Sequence, residues 1–133
     1  MRILIADDDP DTVDSQALLL RKIGYEAITC THGADVMPLV EEHHPDVLLI
    51  DLAMPQMSGF DIAMELKENP DLRPKLLIAV TGYGDDAARE ETEWSGFDFH
   101  FVKPMMPVQL LEVLEWADKQ ANWVSHVGKG GAT

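Results

Sequence analysis

The chain has 133 residues, 46% of them hydrophobic, which is the size and make-up of one globular domain with its own core and excludes a disordered chain. Its formal net charge of −14 argues against direct binding to DNA or RNA, where phosphate contacts dominate affinity. One cysteine, Cys30, excludes an internal disulfide scaffold, and no apolar run approaches the roughly 20 residues of a membrane span.

Met1-Arg2-Ile3-Leu4 reads straight into a strand, leaving no room for a signal peptide, so the expectation is a cytoplasmic chain with no membrane anchor. Ile3 to Ala6 is the first apolar run. Pro10 opens a helix to about Ile23, with Val13, Ala17, Leu20 and Ile23 as its apolar stripe and Gly24 as its stop. Tyr25 to Cys30 predicts a second strand, in which Cys30 serves as a small buried hydrophobe. Ala34 to His43 is a second helix with Val36, Leu39 and Val40 inward, and Pro38 near its first turn; Pro45 ends it. Val47 to Ile50 is a third strand, and Phe60 to Glu68 a third helix using Ile62, Ala63 and Leu66.

Leu76 to Val80 forms a fourth strand. Asp85 to Trp94 is a charged helix stopped by Gly96, and a fifth strand covers about Asp98 to Val102. Pro107 starts the last helix, with Val108, Leu111, Leu114 and Ala117 on one face. Residues 122–133 carry Gly128, Gly130 and Gly131 and read as a tail or the start of a linker, leaving residues 1–121 as the domain. Short strands alternating with helices imply an α/β fold: a five-stranded parallel sheet with helices on both faces, doubly wound and flavodoxin-like.

Sites in such sheets lie at the carboxyl ends of the strands. Asp7 and Asp8 follow the first apolar run, Asp51 the third, Thr81 the fourth and Lys103 the fifth. That edge collects three carboxylates, a hydroxyl and an ammonium. Unpaired carboxylates so close repel and call for a cation, and carboxylates with a small hard ion and a lysine make a phosphoryl-binding site. Plainer readings exist for single members. An aspartate run before a helix serves as a cap, Lys103 alone would be a solvated lysine, and Thr81 alone a β-branched strand end. Asp51 has no capping role, because Met54-Pro55 rather than a helix follows it.

Five motifs occur in order: Ile5-Ala6-Asp7-Asp8-Asp9, Leu49-Ile50-Asp51-Leu52-Ala53-Met54-Pro55, Met57-Ser58-Gly59, Val80-Thr81-Gly82 and Phe101-Val102-Lys103-Pro104. Over roughly residues 2–120 the chain resembles the receiver domain of two-component response regulators, including the chemotaxis regulator and receivers of hybrid histidine kinases. The resemblance implies that Asp51 is the phosphoacceptor and that Mg²⁺ is held by Asp8, Asp51, the Ala53 backbone carbonyl and, through water, Asp7. It implies that Lys103 pairs with a phosphoryl oxygen across a cis bond to Pro104, and that Thr81 turns its hydroxyl to the phosphoryl group.

The family carries Tyr or Phe three residues before this lysine. Here that position is His100, which strand alternation places on the face opposite Phe99 and Phe101. Ala53 and Tyr83 would flank the phosphoryl group without orienting a water, which implies slow self-dephosphorylation. A histidine kinase or histidine phosphotransfer protein would dock on Asp11, Thr12, Ser15, Leu18 and Leu19 with Pro104, Met105 and Met106. The faces Asp86 to Glu93 and Gln109 to Trp116 would meet a downstream effector or a second copy, while Trp94, Trp116 and Trp123 read as core or fringe packing.

The function expected is therefore a phosphorelay module that catalyses only its own phosphorylation and dephosphorylation. The alternative is a small aspartyl-phosphate phosphatase or phosphotransferase. Such enzymes carry a second aspartate two residues after the nucleophile, where this chain has Ala53.

Overall fold

The computed structural model describes residues 1–52, 54, 59–82 and 96–130, with side chains described as far as residue 120. The strands are β1 (Arg2–Ala6), β2 (Glu26–Cys30), β3 (Val47–Asp51), β4 (Leu76–Thr81) and β5 (Phe99–Val102). The helices are α1 (Pro10–Ile23), α2 (Val36–His43), α3 (Gly59–Glu68) and α4 (Pro107–Gly130). The charged helix expected over Asp85 to Trp94 falls outside the described residues.

All neighbouring strands pair in parallel, in the order β2-β1-β3-β4-β5. The chain runs outward from β1 to β2, returns to β3 on the other side, and proceeds to β5. Strand order therefore reverses between β1 and β3, which opens a crevice at their carboxyl ends. β3 and β4 are buried along their whole length, as uninterrupted Val, Ile and Leu require of strands covered on both faces.

Alternation along the strands sorts the core into two layers. Ile3, Ile5, Val47, Leu49, Ile78 and Val80 meet Val13, Ala17 and Leu20 of α1 and Leu110, Val113 and Leu114 of α4. On the opposite face Leu4, Ala6, Leu48, Ile50, Leu77 and Ala79 meet Val36, Met37 and Val40 of α2 and Ile62 and Leu66 of α3.

Local chemistry sets the helix ends. Asp9 caps α1: its carboxylate accepts from Asp11 N at 3.1 Å and from Thr12 Oγ1 at 2.7 Å, and Pro10 occupies the first turn. These bonds, led by that of the Thr12 hydroxyl, hold the Asp9 carboxyl below the usual range. Gly24 ends α1 with φ +111°, a left-handed cap that an L side chain rarely adopts. α2 is preceded by a 3₁₀ turn over Gly33–Asp35, where an α-helix from Ala34 was expected. Pro38 then falls in the first turn of α2, where its missing N–H has no intrahelical partner to lose.

Two expectations about helix faces are corrected. Val108 is 58% exposed and Ile23 47% exposed, while Leu110 and Val113 are buried in α4. Leu110, Val113, Leu114 and Ala117 follow the three- and four-residue spacing of one stripe, whereas Val108 stands two residues, about 200°, away from Leu110. α4 also continues as helix across residues 122–130, which composition assigned to a tail; the glycines come only in its last turn.

Candidate functional site

Each functional side chain sits just past, or at, the last paired residue of a strand. Asp7 follows β1 and is 6% exposed; its backbone N–H reaches Cys30 O at 3.2 Å, and its Oδ1 accepts from Asp9 N at 3.0 Å. Asp8, next in the chain, is exposed. Asp51 ends β3, 3% exposed, with Ala6 paired to Ile50 in the register, so that Asp7 lies alongside it. Thr81 ends β4, 7% exposed, one residue beyond Val80, the partner of Asp51. Lys103 follows β5; its N–H donates to Thr81 O at 2.6 Å, and its bond to Pro104 is cis.

The side chains converge as expected. One oxygen each from Asp7, Asp8 and Asp51 lies within 4.8 Å of the others, a spacing that suits a small hard cation bridging carboxylates. The Lys103 ammonium donates to Asp51 Oδ2 at 2.7 Å and lies 3.5 Å from Asp7 Oδ2. Burial pushes the Asp7 carboxyl above its ordinary value, assisted by Asp51, against the opposing pull of the Asp9 N–H and Lys103. For Lys103, burial works against the charge, but the hydrogen bond and attraction of Asp51, followed by Asp7, outweigh it and raise its pKa. The cluster thus holds more negative charge than its one ammonium offsets.

A cavity of about 700 Å³ opens onto this cluster. Its charged rim includes Asp7, Asp9, Asp51 and Lys103, while Ile5, Leu49 and Val80 give it an apolar floor. α1 contributes Thr12 and Gln16, and the segment after β5 contributes Pro104 and Met105. Thr12, Pro104 and Met105 were expected at the docking face. Gln16 was missed, although it stands one helical turn beyond Thr12 and so shares its side of α1. Of the other docking residues, Asp11, Ser15, Leu18 and Met106 are exposed and Leu19 is half-buried.

His100 also joins the site. Phe99 and Phe101 pack on the face that α1 and α4 cover. His100 points the other way, and its Nε2 stands 2.8 Å from Thr81 Oγ1. The sequence supplied the face but not the contact. The signal lay in the register, which pairs His100 with Ala79, two residues before Thr81 on the same side of β4.

Ala53, Tyr83, the Met57-Ser58 pair, the face from Asp86 to Glu93, and Trp94 lie outside the described residues. The side chain of Trp123 does too. Trp116 is 50% exposed and meets Phe99 edge-on, with ring centroids 5.8 Å apart, which is packing at the fringe of the core. The Cys30 thiol is buried, and burial raises its pKa to about 11, so it behaves as a hydrophobe rather than a nucleophile. Among the described residues no helix is long and apolar enough to cross a membrane.

Comparison with known proteins agrees with this geometry. The response regulator receiver domain family matches residues 3–115. The polar-differentiation response regulator DivK of Brucella ovis is 28% identical over 113 residues, covering 85% of this chain and 92% of that protein. The crystal structure of a CheY-like response regulator receiver domain protein from Methanospirillum hungatei JF-1 is 30% identical with a TM-score of 0.80, covering 91% of this chain and 96% of that one. The signal receiver domain of a signal transduction histidine kinase from Syntrophus aciditrophicus is 27% identical with a TM-score of 0.79, covering 87% and 88%. Fold, converging carboxylates and family match together make this chain a member of the response regulator receiver domain family of two-component signalling.

Proposed function

We propose that Asp51 accepts a phosphoryl group from a phosphohistidine and holds it as an acyl phosphate. The single observation that carries this reading is the buried Asp51 carboxylate, 2.7 Å from Lys103 and within 4.8 Å of Asp7 and Asp8, beside an open cavity. A carboxylate oxygen of Asp51 attacks phosphorus in line, the phosphorus–nitrogen bond breaks, and the departing imidazole takes up a proton. Lys103, bound to Asp51 at rest, is placed to follow the charge onto a phosphoryl oxygen. Thr81, beside Asp51 at the end of β4, offers its hydroxyl to another.

The donor set fits Mg²⁺: Asp8 and Asp51 would ligate it directly, Asp7 through water, and the Ala53 carbonyl would complete the protein's share. When bound, the ion supplies positive charge that offsets the carboxylates and the incoming phosphoryl oxygens.

The apolar floor and open mouth of the cavity suit an imidazole ring arriving from a histidine kinase or histidine phosphotransfer protein across Thr12, Pro104 and Met105. With such a donor, the place of action expected is the cytoplasm. Residues 1–121 would form the receiver, and 122–133 a C-terminal tail or the start of a linker. The chain switches a surface for a downstream effector and catalyses only its own phosphorylation and loss of phosphate. The phosphatase alternative lacks its acid/base, since Ala53 stands two residues after Asp51.

The test is incubation with a small acyl-phosphate donor, with and without Mg²⁺, followed by intact mass. Wild type should gain one phosphoryl group only with the ion, and Asp51→Asn should gain none. An Mg²⁺-dependent adduct that survives Asp51→Asn would refute the assignment.

A further inference from the structure

We propose that His100 is a positioning residue for Thr81, donating its Nε2–H to the Thr81 oxygen whenever Thr81 gives its own proton to the phosphoryl group on Asp51. The proposal rests on the reading of Asp51 and Thr81 above and adds a direction to the side-chain hydrogen bond between Thr81 and His100 of β5.

The geometry leaves little choice about that direction. Thr81 Oγ1 and His100 Nε2 stand 2.8 Å apart, a normal hydrogen-bond length that requires a proton between them. A hydroxyl has one proton and two lone pairs, and a neutral imidazole has a proton on only one of its nitrogens. At rest, either atom can supply the proton. Once the Thr81 proton is committed to a phosphoryl oxygen, a bare Nε2 would face an oxygen lone pair at 2.8 Å. The contact then survives only if Nε2 carries the hydrogen. Loading Asp51 therefore selects the Nε2–H form of His100, and His100 in turn keeps the Thr81 hydroxyl aimed at the phosphoryl group.

Packing keeps the pair together. Thr81 is 7% exposed, and the backbone on the β5 side is tied to it through the bond from Lys103 N to Thr81 O at 2.6 Å. Phe99 and Phe101 anchor the flanking positions of β5 in the layer under α1 and α4, so His100 cannot leave its face without dislodging both. A phenylalanine at position 100 would fill comparable space but donate nothing. A glutamine amide, by contrast, supplies an N–H and never needs to change tautomer. The state of the Asp51 site is thus written into the ring nitrogens of His100 on β5.

The experiment uses the full chain with ¹⁵N-labelled histidine, in Mg²⁺, with and without beryllofluoride as the phosphoryl mimic. Ring-nitrogen chemical shifts identify which nitrogen of His100 is protonated. The expected result is Nε2 protonated in the beryllofluoride state. His100→Phe should weaken beryllofluoride binding about three- to tenfold, the value of one hydrogen bond, and make a further Thr81→Ala change nearly silent. His100→Gln should restore most of the loss. Beryllofluoride bound to wild type with Nε2 unprotonated would overturn the proposal while leaving Asp51 as acceptor. Absence of any adduct on Asp51 would instead remove the reading of the acceptor, and this proposal with it.

Discussion

Magnesium should raise the melting temperature of this chain by an amount that Asp8 controls. Burial lifts the Asp7 carboxyl above its ordinary value of 3.8. The sign follows from proton linkage: a folded state with the higher pKa binds more protons, so the contribution of Asp7 to stability is greatest at acid pH and is lost as pH rises from 3.8 through the folded value. At neutral pH the ionised Asp7, beside Asp51, is therefore a cost of folding, offset only in part by Lys103. A bound divalent ion adds RT ln(1 + [L]/Kd), about 1.4 kcal/mol at ten times Kd. For a domain of 133 residues that corresponds to a rise of roughly 3–7 °C. Thermal denaturation by circular dichroism, at neutral pH and with KCl matched for ionic strength, measures it. Asp8→Asn removes the negative charge of one of the three converging carboxylates and should abolish most of the rise. Asp7→Asn should stabilise the metal-free chain at neutral pH, and this gain should vanish in acid. A magnesium effect no larger than that of KCl, or one undiminished in Asp8→Asn, would refute the reasoning.

Leu48→Ala should cost about 3 kcal/mol in urea unfolding, because Leu48 of β3 is 1% exposed and its neighbours on α2 and α3 cannot collapse fully into the void; a loss below about 1 kcal/mol would contradict that packing. Asp98→Ala should cost about 1–3 kcal/mol, since the Asp98 carboxylate accepts from Leu77 N at 2.8 Å and from Arg73 Nη2 at 3.4 Å, and its removal strands the Leu77 donor. Asp98→Asn, which keeps an acceptor oxygen, should recover much of that loss in the same assay.

The elements most legible in the sequence are those whose chemistry is local. β1, β3 and β4 announce themselves as unbroken apolar runs because both of their faces are covered. α1 is bounded by Asp9-Pro10 and Gly24, residues that supply a cap acceptor, a preset φ and a left-handed turn on their own. The edge strand β5 was read one residue too long, because Asp98 lends its carboxylate as well as its N–H to Leu77 and so prolongs the pairing without being strand. Val108 misled because the phase of α4 is set by what it packs on, and an isolated valine in the first turn has no stripe of its own. Gln16 and the His100–Thr81 bond were hidden for a related reason: both depend on how separate elements face each other, which spacing along one element does not encode.

The site residues were nonetheless legible as a group, and the register explains why. Ala6 pairs with Ile50, Asp51 with Val80, and Thr81 with Val102, so the last apolar residues of β1 and β3 are level, those of β4 and β5 run one step further each, and the polar residues that follow collect at one edge. A slip of one residue in β3 would turn Leu48 and Ile50 away from α2 and α3 and drive Val47 and Leu49 into their place. It would also carry Asp51 out of line with Asp7 and Lys103. Mispacking of two layers and dispersal of the carboxylates are thus the same displacement. The core holds the strands in register, and the repulsion that converging carboxylates impose is borne by a sheet that cannot shift to relieve it. That leaves compensation by charge, from Lys103 and from an ion, as the way open to the folded chain.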